Sequence, residues 1–152
     1  MAATDILLIE DNRHDVEMIL YAFNEHDMSY HVLALADGAK ALDYFFSACG
    51  CLHEAAAKLP KLILLDLKLP KVNGIEVLKR LKFDERTRHI PVVIFTSSNE
   101  SQDRLECYSL GANSYIVKPL DSDEFSRFIG DIGSYWMQMN ETAHYYHETG
   151  RV

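Results

Sequence analysis

An α/β fold, a doubly wound sheet of five parallel strands flanked by five helices, is predicted by two features of the sequence. Short apolar, β-branched runs recur at regular intervals, and the segments between them switch to the three-to-four-residue spacing of amphipathic helices. Three of the runs are almost continuously apolar, as expected of strands covered by helices on both faces.

The first run, Asp5 to Ile9, precedes a helix whose stripe is Val16, Ile19, Leu20 and Phe23. The second, Tyr30 to Leu35, leads to a helix carrying Ala41, Leu42, Phe45 and Phe46. Residues 47–60 make an unusually long link to the third run, Leu62 to Leu65, and Ile75, Leu78 and Leu81 mark the helix after it. Val92 to Phe95 is the fourth run. Leu105, Tyr108 and Leu110 mark a shorter fourth helix, ended by Gly111 in a helix-stop role. After the last run, Tyr115 to Val117, Asp121 and Glu124 have the spacing of a capping box. The final helix then places Phe125, Phe128, Ile129, Ile132, Trp136 and Met139 on one stripe. Its Gly130 and Gly133 weaken it by about 1 kcal/mol each relative to Ala, so it depends on packing. Residues 1–140 read as one domain and 141–152 as a polar tail.

Composition narrows the function. The 152 residues are enough for one self-sufficient core, and 48% apolar with 25% charged residues excludes disorder, collagen and coiled coil as the theme. A formal charge of −8 disfavours nucleic acid as the main partner, because a duplex binder must neutralise phosphates. No apolar run approaches the roughly 20 residues that span a bilayer, and the N-terminus lacks a signal peptide's basic segment. Three cysteines do not make a disulfide framework. The expectation is a cytoplasmic protein that engages neither membrane nor nucleic acid.

In an open parallel sheet, chemistry gathers beyond the carboxyl ends of the strands. There this sequence places Glu10 and Asp11, Asp66, Thr96 and Lys118. Polar residues often finish strands, but four of five strand ends carrying complementary groups is a pattern. Clustered carboxylates repel one another unless a cation intervenes, and oxygen ligands without His or Cys suit Mg²⁺ or Mn²⁺. A lysine facing such a site calls for an anion, and a phosphoryl group satisfies both metal and ammonium. Phosphoryl transfer needs mainly positioning and charge neutralisation. With no GxxxxGK[ST] and no GxGxxG to cradle a nucleotide, the acceptor is one of the carboxylates, and Asp66 is the best placed.

The runs LLIEDN, LILLDLKLPKVNGIEVLKRLK, IPVVIFTSS and LGANSYIVKPL closely resemble the receiver domain of two-component response regulators, over about residues 4–130. The resemblance implies a sheet of order 2-1-3-4-5 and phosphorylation of Asp66 by a sensor histidine kinase. It implies Mg²⁺ (with Mn²⁺ able to substitute) bound by Asp11 and Asp66, by Glu10 largely through water, and by the Lys68 carbonyl. Thr96 and Lys118 would hold the phosphoryl oxygens, Thr96 and Tyr115 would form a conformational switch, and the Lys118–Pro119 bond would be cis. Such a domain is not an enzyme toward a separate substrate; it assists its own phosphorylation and dephosphorylation. Lys68 stands where the family often has a smaller or amide side chain.

The link at 47–60, the LDLKLPK loop and the ending DSDEFSRFIGDIGSYW further resemble small regulators associated with bacterial and cyanobacterial phytochromes. This implies a receiver acting alone, often as a homodimer through the face around the fourth helix, fifth strand and fifth helix. The alternative is a phosphorelay intermediate or a chemotaxis-like partner binder. Haloacid-dehalogenase, Toprim and flavodoxin readings fail on their motifs, since Lys68 stands two past Asp66 and the first strand ends in acids rather than a phosphate loop. Cys49, Cys51 and His53 give poor tetrahedral spacing for zinc, Cys107 reads as core, and the Lys79–Arg88 basic run reads as a solvated face.

Overall fold

The computed structural model describes residues 3–53 and 58–143. Its elements are β1 (Ile6–Ile9), α1 (Arg13–Glu25), β2 (Val32–Leu35), α2 (Gly38–Phe46), β3 (Leu62–Leu65), α3 (Gly74–Phe83), β4 (Val92–Thr96), α4 (Ser101–Ser109), β5 (Ser114–Val117) and α5 (Ser122–Gly133). The strands pair in parallel in the order β2-β1-β3-β4-β5, as expected. Part of the predicted link, 54–57, and the tail from 144 lie outside the described residues; a 3-10 turn at Cys51–His53 occupies the link before that gap.

Alternation along each strand divides the core between the two faces of the sheet. Leu7, Ile9, Ile63, Leu65, Val92 and Ile94 point to one face, against α2, α3 and Cys107 of α4. Ile6, Leu8, Leu62, Leu64, Val93 and Phe95 point to the other, against α1 and α5. Side-chain caps start four helices: Asn12, Asp37, Asn73 and Asp121 each accept a hydrogen bond from a backbone N–H three residues on. Gly111, at φ +102°, follows α4 as predicted. The two glycines of α5 lie where α1 ends: a Cβ at Gly130 would sit 2.7 Å from the His26 ring, and one at Gly133 would sit 2.6 Å from Met28 Sδ.

Three helix faces differ from their predicted stripes. In α1, Leu20 is exposed, and Ile19, Ala22 and Phe23 fill the core. In α4, Leu105 and Tyr108 face outward, and the inward line is Asp103, Cys107 and Leu110, spaced i, i+4, i+7. With so few apolar residues, the single small Cys107 sets the buried face. After α5 the chain widens into a π-helical segment, Ser134–Met139, closed by Asn140 N–H donating to Tyr135 O at 2.7 Å. The wider turn shifts the phase, so Trp136 and Met137 pack against the core and Met139 is exposed.

Arg80 and Arg86 of the basic run stack over the Phe46 ring, at 4.9 and 5.9 Å from its centre. Lys82 turns inward. Its Nζ donates to Arg88 O, Ile90 O and Asn113 Oδ1 at 2.9–3.0 Å, and burial pulls its pKa down to about 8. Because the folded value lies below that of the unfolded chain, this group's contribution to stability is lost as pH falls through about 8 and grows as pH rises from there. Chemical denaturation from pH 8 upward is expected to show the wild type gaining stability relative to Lys82→Met. A difference independent of pH would contradict this.

Candidate functional site

The sheet order decides which strand ends meet. β1 and β3 are central neighbours in register Ile9↔Leu65, so Glu10 and Asp66, the next residues, emerge side by side. Asp66 N–H donates to Ile9 O at 3.0 Å, and Glu10 N–H to Leu35 O at 3.0 Å, fixing both backbones. Asp11 follows on the exposed rim, and Asn12 links the pair to α1 by donating its N–H to Glu10 Oε1 at 3.0 Å. Asp66 Oδ1 accepts from Leu67 N–H at 2.7 Å. One carboxylate oxygen from each of Glu10, Asp11 and Asp66 lies within 4.8 Å of the others. Opposed ligands of a hard dication at about 2.0–2.1 Å stand about 4 Å apart, so this all-oxygen donor set suits Mg²⁺ or Mn²⁺ once the carboxylates draw in slightly around the ion.

Lys118 follows β5, two strands away from β3, and its long side chain crosses the end of β4 to reach this cluster. Its Nζ donates to Glu10 Oε2 at 2.6 Å, to Asp15 Oδ2 at 2.8 Å and to Asp66 Oδ2 at 3.1 Å. Burial acts to lower the ammonium's pKa, but Asp15, Glu10 and Asp66 outweigh it and hold it above the ordinary lysine value. Burial raises Glu10 to about 7, with the neighbouring Asp66 charge adding to the rise and Lys118 opposing it. The Lys118–Pro119 bond is not cis, since no cis peptide bond occurs among the described residues. A trans bond is the lower-energy form, and Lys118 reaches all three carboxylates from it.

Thr96 ends β4 fully buried, and its Oγ1 accepts from Ser98 N–H at 3.3 Å. Tyr115 OH donates to Ser98 O at 3.0 Å, while Ser98 Oγ donates to Asp103 Oδ2 of α4 at 2.6 Å. Burial keeps the Tyr115 pKa above the usual phenol value, so it remains a donor. The β4–α4 loop is thus tied to β5 on one side and to α4 on the other.

The predicted residues Glu10, Asp11, Asp66 and Lys118 converge, and Thr96 and Tyr115 are joined through Ser98. Lys68 lies in the loop after β3 with its side chain exposed. Sequence reasoning passed over Asp15, which sits in the first turn of α1 rather than at a strand end. Its signal was the acid four residues beyond Asp11, on a helix that begins at the same sheet edge.

The family described as response regulator receiver domain matches residues 6–129. The chain belongs to that family. This receiver is 41% identical over 138 residues to a probable methanogenesis regulatory protein, FilR2, of Methanothrix harundinacea, covering 90% of this chain and 86% of the relative. Among solved structures, the phosphorylated cyanobacterial phytochrome response regulator RcpA superposes with a TM-score of 0.82 at 31% identity, over 94% of the receiver and all of that chain. The Mn²⁺-bound form of response regulator Rcp1 gives 0.80 at 28% identity, over 91% and 98%. Stand-alone phytochrome-associated regulators are therefore among its close homologues and structural neighbours, as the extensions of the sequence implied. No helix among the described residues is long and apolar enough to cross a membrane.

Proposed function

We propose that the receiver accepts a phosphoryl group on Asp66 from the phosphohistidine of a sensor kinase, of the phytochrome type. The observation that carries this reading is a single ammonium, Lys118, held among Glu10, Asp15 and Asp66 beside a dication-sized carboxylate group. An Asp66 carboxylate oxygen attacks phosphorus as the phosphorus–nitrogen bond to the kinase histidine breaks; an acyl phosphate forms and the imidazole leaves. Mg²⁺ (or Mn²⁺) at Glu10, Asp11, Asp66 and the Lys68 carbonyl would supply neutralisation of the charge on the incoming group. Lys118 and the Thr96 hydroxyl hold its oxygens. No separate substrate is turned over, so the receiver is not an enzyme in the ordinary sense but assists its own phosphorylation and dephosphorylation.

Output runs through the β4–α4 loop. Thr96 drawn toward the phosphoryl group shifts Ser98, to which Tyr115 and Asp103 are both bonded, and so alters α4. The exposed apolar residues Leu105, Tyr108 and Leu120 favour the face of α4, β5 and α5 as a homodimer contact. The net charge of −8 favours a protein partner over nucleic acid.

The test is intact mass after incubation with Mg²⁺ and acetyl phosphate, run beside Asp66→Asn. One phosphoryl group is expected on the wild type and none on the variant, with size exclusion of the same sample reading the dimer. A phosphoryl group retained on Asp66→Asn would remove Asp66 from its role. Rapid passage of the group to a histidine phosphotransfer protein would favour a relay intermediate instead.

A further inference from the structure

We propose that Asp15 is a positioning residue that parks the Lys118 ammonium when a dication enters the Glu10–Asp11–Asp66 cluster. The inference rests on the phosphoacceptor reading of that site. Lys118 Nζ has three carboxylate partners, and two of them, Glu10 and Asp66, belong to the group that would hold the metal. An ammonium 2.6 Å from Glu10 competes with a dication for the same oxygens and is repelled by it once it binds. Asp15 Oδ2, 2.8 Å from Nζ, is the partner outside that group. It leaves Lys118 anchored at the edge of the site instead of expelled to solvent.

The placement is built into the fold. Asn12 caps α1 by accepting from Asp15 N–H at 3.1 Å while donating its own N–H to Glu10 Oε1, so the first turn of α1 is registered against β1. An acid in a first helical turn also favours the helix dipole. That role alone would leave the carboxylate facing solvent, whereas the Asp15 side chain is only 18% exposed and in contact with a lysine that is 8% exposed.

The test is a double-mutant cycle on Mn²⁺ affinity, read by the free-ion paramagnetic resonance signal. It combines Asp15→Asn with Lys118→Met, and with Lys118→Gln as a second neutral background; circular dichroism verifies that each variant is folded. In the wild-type background, Asp15→Asn is expected to weaken Mn²⁺ binding roughly fivefold or more, and in the neutral backgrounds less than about twofold. Asp15→Glu is expected to restore most of the affinity. Equal weakening in all backgrounds would mean that Asp15 merely attracts the dication at long range, and would overturn the proposal, as would no weakening in the wild type. Asp66 phosphorylation by acetyl phosphate is measured in parallel. Its absence in the wild type would count against the phosphoacceptor reading and leave the outcome of the metal cycle intact.

Discussion

Lys118→Met is expected to cost about 3 kcal/mol of stability in the absence of divalent metal, because it leaves a largely buried carboxylate cluster without its cation. The Lys118, Glu10 and Asp66 side chains are each 8% exposed or less, so water compensates little. Glu10 limits the loss: already raised to about 7, it takes up a proton more readily once the ammonium is gone. The figure therefore stays at the lower end for a broken buried pair. Mg²⁺ or Mn²⁺ should stabilise the variant more than the wild type, because it no longer competes with an ammonium for Glu10 and Asp66. Urea unfolding in EDTA and in excess Mg²⁺ reads both effects. Equal metal stabilisation of the two proteins would show that Lys118 and the metal do not share ligands.

Gly74→Ala is the second large effect, about 3 kcal/mol, and it should also slow phosphorylation of Asp66. A Cβ at Gly74 would fall 2.1 Å from Asp66 O and 2.7 Å from Leu67 Cα, both backbone atoms that cannot rotate away. Gly74 N–H donates to Leu67 O at 2.8 Å, so α3 starts pressed against the turn that carries the acceptor. Relief has to come from moving that turn, which displaces Asp66 relative to Glu10 and Lys118. Gly133→Ala is the control: its nearest obstacle is the flexible Met28 thioether, so its cost should be smaller and its phosphorylation rate unchanged. Denaturant midpoints and acetyl phosphate kinetics separate the two. A Gly74→Ala protein of wild-type stability would refute the close approach.

The fold was legible because parallel strands covered on both faces leave continuous apolar runs such as Leu62 to Leu65, and capping residues such as Asp121 mark helix starts. Most of the site was legible for a related reason: the carboxyl ends of strands converge, so reading the residue after each run finds Glu10, Asp66, Thr96 and Lys118. Asp15 escaped because it belongs to a helix, and an acid in a first helical turn is ordinary. In α4, Cys107 is core as its sequence position suggested and Leu110 packs inward, but apolar spacing misplaces Leu105 and Tyr108, which are exposed. Met139 falls on the buried stripe only at α-helical spacing, which the π-helical turns from Ser134 do not keep.

The placement of Trp136 has a practical consequence. It is the only tryptophan in the chain, and it packs in the layer built on α1 and α5, beside Tyr135 at 4.9 Å between ring centres. Tyr115 packs in the layer on the opposite face of the sheet. The protein therefore carries a reporter side chain on each side of its own central wall. Indole emission follows loss of the α1–α5 layer, while the assigned ring resonances of isotope-labelled Tyr115, one of eight tyrosines, follow rearrangement of the β4–α4 loop, so unfolding and signalling can be recorded separately in one unsubstituted chain.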